Sequence, residues 1–430
     1  MNTTAHAFDK SITDSQSGST FERWLRKRLI GHLAGLRGGT ITFTDALGTL
    51  SIGEDAGHAE PLHVHATVHA SEFYRQIAMN GTVGAGEAYM DGAWHCDDLV
   101  ALVRLLLRNR DLLDGMETGL ARFGSAAMRG WQLLRRNTRV GSRRNISAHY
   151  DLGNDLFKLF LDSELMYSSA IFEHADESLD VASRRKLDRI CRKLELKPSD
   201  HVIEIGTGWG GFALHAARHY GCRVTTTTIS REQFDLACQR VADAGLQDRI
   251  TLLLQDYRDL EGQYDKLVSI EMIEAIGHQY LDVYFCKCAD LLKPDGIGLV
   301  QAITIEDHRY QQALESVDFI KRHVFPGSFI PCVSVMLGAC AATDLRLVNL
   351  EDFGPSYAHT LHRWRERFIA QLDKVRALGY DERFVRMWDF YLCYCEGAFL
   401  ERSIGVSHLL LARPQNRRSQ FVPALADTAA

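Results

Sequence analysis

At 430 residues, 46% hydrophobic and 24% charged, the chain has the composition of a globular protein of two or three domains, not of a disordered or fibrous one. No uninterrupted apolar run is long enough to cross a bilayer, and the ten cysteines include two Cys-x-Cys pairs but no Cys-x-x-Cys, which excludes a zinc ribbon or a disulfide scaffold. The formal charge is −6; no metal site and no nucleic-acid partner are expected.

Residues 1–19 are mostly polar and lack a basic start followed by an apolar stretch, so they read as a disordered lead and not as a secretory signal. From Phe21 to Leu36, large apolar residues at helical spacing stand against Arg23, Arg26, Lys27 and Arg28. Such a helix either lies on anionic lipid or packs on the next domain with a solvated basic face. Thr40 to Phe43 and Thr49 to Ile52 read as a hairpin around Asp45-Ala46-Leu47-Gly48, and His63 to His69 alternates as a third strand. Helical patterns follow at Ser71 to Met79 and Asp97 to Arg108. Residues 20–117 thus form a small α+β domain, with membrane or dimer contact as its candidate role.

Residues 118–147 form an Arg-rich linker. Between Thr118 and Tyr150 stand seven arginines (Arg122, Arg129, Arg135, Arg136, Arg139, Arg143, Arg144) and no acid, which suits an anionic surface. Residues 148–415 then alternate strands and helices. Strands are expected at His201 to Ile205, Arg223 to Thr227, Ile250 to Leu254, Lys266 to Ile270 and Gly298 to Ile303, with helices to Tyr220, from Arg231 to Ala244 and from Gln279 to Leu292. Beyond Thr304 come a helical insertion expected to cover the active site, a strand near Leu345 to Leu350, helices through Phe399, a last strand Val406 to Leu411, and a tail over 416–430. The alternation predicts an α/β fold: a doubly wound, Rossmann-like, mostly parallel sheet with its ligand site at the carboxyl ends of the strands.

The turn Glu204-Ile205-Gly206-Thr207-Gly208-Trp209-Gly210-Gly211 sits between the first of these strands and its helix. Its glycines permit a sharp turn and close backbone approach to a ligand, and the helix start offers unpaired N–H groups. The spacing E-x-G-x-G-x-G differs from the G-x-G-x-x-G of dinucleotide loops and carries an acid at the strand end, which favours S-adenosylmethionine over a phosphate-bearing cofactor.

Several segments together resemble the cyclopropane-fatty-acyl-phospholipid synthase family, to which mycolic acid methyltransferases are related. They are Ala148-His149-Tyr150-Asp151-Leu152-Gly153-Asn154-Asp155-Leu156-Phe157, Tyr167-Ser168-Ser169-Ala170, the glycine loop, Thr228-Ile229-Ser230-Arg231-Glu232-Gln233, Leu254-Gln255-Asp256-Tyr257-Arg258-Asp259 and Glu271-Met272-Ile273-Glu274. Gly84 to Trp94 extends the likeness into the first domain. The resemblance implies methylene transfer from S-adenosylmethionine to the cis double bond of a phospholipid acyl chain. It also implies a homodimer, and a cytoplasmic enzyme held peripherally at the inner face of an anionic membrane. A related lipid C-methyltransferase that leaves a methyl or methylene branch is the alternative, and a non-catalytic lipid-binding protein is the alternative of another class.

Carried over by position, the cofactor residues are Tyr167, Ser168, Glu204, Gly206, Gly208, Gly210, Thr228, Gln233, Asp256 and Tyr257. Thr228 and Gln233 are expected at the ribose and adenine, Asp256 at the adenine amine, and Tyr257 stacked. Glu274 and Tyr357 match the family's active-site Glu and Tyr, which help hold a bicarbonate ion that serves as the base. Ser169 and Gln301 fall where many bacterial members have Cys and His, at positions that contact this ion; Gln cannot carry a proton as His can. Cys395 aligns with a cysteine discussed as catalytic in the family, but its apolar helical setting points to a structural role.

Overall fold

The computed structural model describes residues 19–112 and 152–418. The Arg-rich linker, His149 to Asp151 and the tail beyond 418 lie outside the described residues. Contacts divide the described chain into two compact units: one of residues 19–112, 315–326 and 364–403, the other of 152–314, 327–363 and 404–418. The first unit therefore takes in part of the expected insertion and the helix Glu382–Leu400, and with it Cys395.

In the first unit, β1 (Gly39–Asp45) and β2 (Gly48–Ile52) form the expected hairpin. β3 (Leu62–Val68) pairs parallel to β1, and β4 (Trp94–Cys96) closes a sheet of order β2-β1-β3-β4. The helix Thr20–Leu33 is α1, begun by a capping box in which Ser19 and Glu22 satisfy each other's backbone N–H. It buries Leu25 and Leu33, and Arg26 pairs with Asp45 at 2.5 Å, while Phe21 and Trp24 stay exposed with the Arg28 guanidinium 5.1 Å from the Trp24 ring centre. The expected helix from Ser71 to Met79 continues as α2 (Glu72–Met90), interrupted at Gly81 (φ 57°), where only glycine adopts the left-handed turn without strain. The last helix of this segment is α3 (Leu99–Arg108).

The second unit opens with α4 (Asn154–Phe160) and α5 (Leu179–Leu194) and continues as β5 (His201–Ile205), α6 (Gly211–Tyr220), β6 (Arg223–Thr228), α7 (Arg231–Asp243), β7 (Ile250–Leu254), β8 (Tyr264–Ile270), α8 (Leu281–Leu291) and β9 (Leu292–Ile305). After them come α9 (Val333–Cys340), β10 (Arg346–Asp352), α10 (Gly354–Ala370) as far as Arg363, and β11 (Ile404–Ala412). The seven strands run β10-β11-β9-β8-β5-β6-β7, parallel from β9 to β7, with β11 antiparallel to both β9 and β10.

Period-two alternation sorts each central strand between two cores. Val202, Val268 and Leu299 face α5 and α6, while Ile203, Leu267 and Val300 face α8 and α9. With both faces covered, most strands read as apolar runs. The exception is β6, whose four buried threonines suit a strand by β-branching yet carry hydroxyls that need partners. Each has one: Thr225 shares a hydrogen bond with His201 (2.9 Å), Thr226 donates to Glu204 (2.6 Å), Thr227 to the Gln255 carbonyl (2.6 Å) and Thr228 to Gln233 (2.9 Å).

Candidate active site

The carboxyl ends of β5, β6 and β7 present the predicted cofactor residues from Glu204 to Tyr257 side by side. After β5 the chain turns through Gly206, Gly208 and Gly210 at φ 100°, 52° and 86°, values that L side chains rarely adopt. A Cβ at Gly208 would meet nothing within 4 Å, so the loop's tip faces open space that a ligand can fill. Glu204, at the strand end, is buried; desolvation pushes its carboxyl up to about 8, against the opposing Thr226 hydrogen bond and the Lys186 charge. Thr207 shares a 2.7 Å hydrogen bond with Thr226 and so extends the same buried chain.

Beyond β6, Thr228 and Gln233 lock one another, and Ser230 caps α7 by accepting the Gln233 N–H at 3.3 Å. Beyond β7, both Asp256 oxygens bind Arg258 (2.8 and 2.7 Å). Tyr257, expected to stack on adenine, is buried and packs edge-on against Tyr284, with ring centres 5.7 Å apart. Tyr167 lies against Phe157 (5.1 Å), which also packs on Trp209, and Trp209 donates to Asn154 at 2.6 Å. Ser168 accepts from the buried Lys186 at 2.8 Å. The glycine loop, the acid at the strand end and the loop from Tyr167 to Ala170 thus fit a nucleoside with a charged amino-acid end.

Three of the residues expected around a bicarbonate, Ser169, Gln301 and Tyr357, converge, but on a side chain of the protein. Glu271 follows the last residue of β8 in the left-handed region (φ 48°), unusual for a non-glycine residue. Its Oε1 accepts from the Ser169 backbone N–H (2.9 Å) and from Gln301 Nε2 (2.7 Å), and its Oε2 from the Tyr357 hydroxyl (2.6 Å). Burial raises the Glu271 carboxyl above the ordinary range, while Tyr357, the Ser169 N–H, the Lys186 charge and Gln301 pull the other way. The Ser169 hydroxyl is directed elsewhere, to the Ala170 carbonyl at 2.9 Å.

Glu274 is held by the backbone of β9. A 3₁₀ turn over Ile273–Ala275 directs its Oε1 to the Ile303 N–H (2.6 Å), and its other oxygen is buried without a hydrogen-bond partner among the described residues. Desolvation, with the Glu271 charge added, pushes the Glu274 carboxyl up to about 8. Two acids three residues apart thus differ in support: three donors oppose the rise at Glu271, while Glu274, with one, is favoured as the neutral acid. Because the Ser169 N–H, Gln301 amide, Tyr357 hydroxyl and Ile303 N–H each meet a protein carboxylate, the site does not fit a bicarbonate ion.

Two supporting residues, Lys186 and His408, were not singled out from the sequence. Lys186 projects from α5, and burial lowers its ammonium to about 8 against the attraction of Glu271, Asp162 and Glu204. His408, buried on β11, lies 2.9 Å from Gln301 Oε1 through Nε2. Burial, with Lys193, Lys186 and Arg189 nearby, keeps its imidazole neutral, so one ring N–H fixes the Gln301 amide with its NH₂ toward Glu271. A buried His opposite a Gln in the antiparallel pair β9/β11 was the available signal. Cys395, in the first unit, is a half-buried helical thiol whose acidity burial suppresses, the setting of a structural cysteine.

Residues 137–409 match the sequence profile of a family described as mycolic acid cyclopropane synthetase. The chain is 38% identical over 373 residues to a tuberculostearic acid methyltransferase of Mycobacterium tuberculosis, covering 84% of this chain and 86% of that protein. It is 37% identical over 349 residues to the cyclopropane-fatty-acyl-phospholipid synthase of Escherichia coli K12, covering 80% and 86%. Among solved structures, the cyclopropane synthase MmaA2 from Mycobacterium tuberculosis superposes with a TM-score of 0.59 at 28% identity, over 63% of this chain and 98% of that one. The mycolic acid cyclopropane synthase CmaA1, complexed with SAH and CTAB, gives 0.59 at 29% identity with the same coverage.

Proposed function

This chain belongs to the mycolic acid cyclopropane synthetase family, and from that premise we propose that it is an S-adenosylmethionine-dependent lipid methyltransferase. Its substrate on this reading is the cis double bond of an unsaturated phospholipid acyl chain, and its product a cyclopropane ring. The observation that carries the reading is the conjunction, in one unit, of the glycine loop after β5 with a hydrogen-bonded carboxylate after β8.

When bound, S-adenosylmethionine supplies an electrophilic methyl group to an alkene carbon. Glu204 and the turn from Gly206 to Gly210 would hold its methionine part, Thr228 and Gln233 its nucleoside. The protein needs no activated nucleophile; its tasks are to align the alkene, keep water from the resulting carbocation and present a base to a proton of the new methyl group. Buried carboxylates in a poorly hydrated site stabilise such a cation far more than they would in water.

A second reading, a methyl- or methylene-branched product, is favoured by Gln301, which alters the donor set at the base, and by the likeness to a tuberculostearic acid methyltransferase. No helix among the described residues is long and apolar enough to cross a membrane, so contact with a bilayer surface would rest on peripheral features such as the exposed Phe21 and Trp24 of α1. The reading is tested by incubating the protein with S-adenosylmethionine carrying a labelled methyl group and unsaturated phospholipid vesicles. Label should enter the acyl chains. Cofactor binding without incorporation would instead support a lipid-binding protein.

A further inference from the structure

We propose that the Glu271 carboxylate is itself the base of the reaction, built into the chain in place of a dissolved anion. The inference rests on the alkene-alkylation reading above and deepens it. Three independent elements aim donors at one point: the loop before α5 through the Ser169 N–H, β9 through Gln301 Nε2, and α10 through the Tyr357 hydroxyl. Such a cradle would bind a small oxyanion, and its acceptor here is a side chain. A second bond ties the same point to the sheet, as the Glu271 N–H donates to the Gln301 carbonyl at 2.8 Å. A glutamate at φ 48° is strained where glycine would not be, and such strain persists where the surrounding structure enforces it.

The atoms balance without a further reactant. The S–CH₃ bond breaks with its electron pair left on sulfur, the alkene π-pair forms the new C–C bond, and the neighbouring carbon becomes cationic. Glu271 takes one proton from the new methyl group. The C–H pair closes the ring onto the cation, and the resulting carboxylic acid returns its proton to solvent. Tyr357, Gln301 and the Ser169 N–H position the base.

The test uses the full-length protein with S-adenosylmethionine and unsaturated phospholipid vesicles, in buffer freed of carbon dioxide and in the same buffer with added bicarbonate. Wild-type turnover should be unchanged by bicarbonate, and titration with carbon-13 bicarbonate followed by NMR should show no binding. Glu271→Gly, which relieves the left-handed backbone and so should fold, is expected to lose at least about a hundredfold in kcat, the scale of a general base. It should bind the labelled ion in the emptied cradle and regain part of its rate with it. Glu271→Gln, which fills the cradle with a neutral group, should be as slow and show no rescue. Wild-type turnover that requires bicarbonate, wild-type binding of the ion, or wild-type kcat in Glu271→Gln would each overturn the proposal while leaving the lipid methyltransferase reading intact. No alkylated lipid from any form in either buffer would overturn that reading itself.

Discussion

Glu271 and Gln301 are joined twice: the Gln301 amide donates to Glu271 Oε1 at 2.7 Å, and the Glu271 N–H donates to the Gln301 carbonyl at 2.8 Å. The backbone bond fixes where the glutamate leaves β8, and the side-chain bond fixes where its carboxylate ends. His408 holds the far end of the amide, so the orientation of the base depends on a chain of three buried or half-buried residues. Gln301→Leu should keep cofactor affinity and lower kcat about tenfold to a hundredfold, the equivalent of one hydrogen bond to a charged group. Equal losses in cofactor binding would show that Gln301 supports the fold and not the base.

Tyr357→Phe removes the 2.6 Å donor from Glu271 Oε2. Burial already raises this carboxyl above its ordinary value, and the tyrosine opposes that rise. A base must be ionised to act, so the rate should climb as pH rises through the Glu271 pKa. In Tyr357→Phe that acid limb should move to higher pH, beside a fall in kcat. An unshifted limb in the pH profile would separate Tyr357 from the base.

Glu204 carries a stability prediction. Its folded carboxyl stands at about 8 against an ordinary value of 4.5, so between these values the folded state holds a proton that the unfolded state has released. Its contribution is fully present below 4.5 and is lost as pH rises through about 8. Glu204→Gln should therefore flatten the decline of Tm across that window and show its largest gain over wild type on the alkaline side. A constant offset between the two proteins from acid to alkaline pH would contradict the assignment.

Cys395→Ser should retain most turnover, because burial holds the thiol in its protonated form and the reaction calls for no thiolate. The check is kcat beside a circular dichroism melt. Loss of activity in a normally folded variant would restore the cysteine to the mechanism.

Much of this was legible in the sequence. The hairpin, the glycine loop and the β-α alternation all announce themselves by local periodicity and turn chemistry, and these elements formed close to where they were expected. The base site was only half legible. Glu271 and Glu274 both follow β8, and spacing alone does not say which carboxylate meets Tyr357; that choice depends on one left-handed residue and one 3₁₀ turn. The ring of Tyr257 shows the same limit, since a strand-end aromatic can face a ligand or the core, and here Tyr284 takes it into the core. Nor does sequence order reveal that the helix carrying Cys395 joins the first unit, because helices of distant origin pack by shape.

Carbon alkylation of an unsaturated acyl chain is read straight from the product. Purified protein would be incubated with S-adenosylmethionine and vesicles of monounsaturated anionic phospholipid, and the released fatty esters examined by mass spectrometry and proton NMR. Esters heavier by one CH₂ with upfield ring protons are expected; vinylidene or branch-methyl signals would establish the second reading. Unchanged esters alongside measurable cofactor binding would contradict the claim.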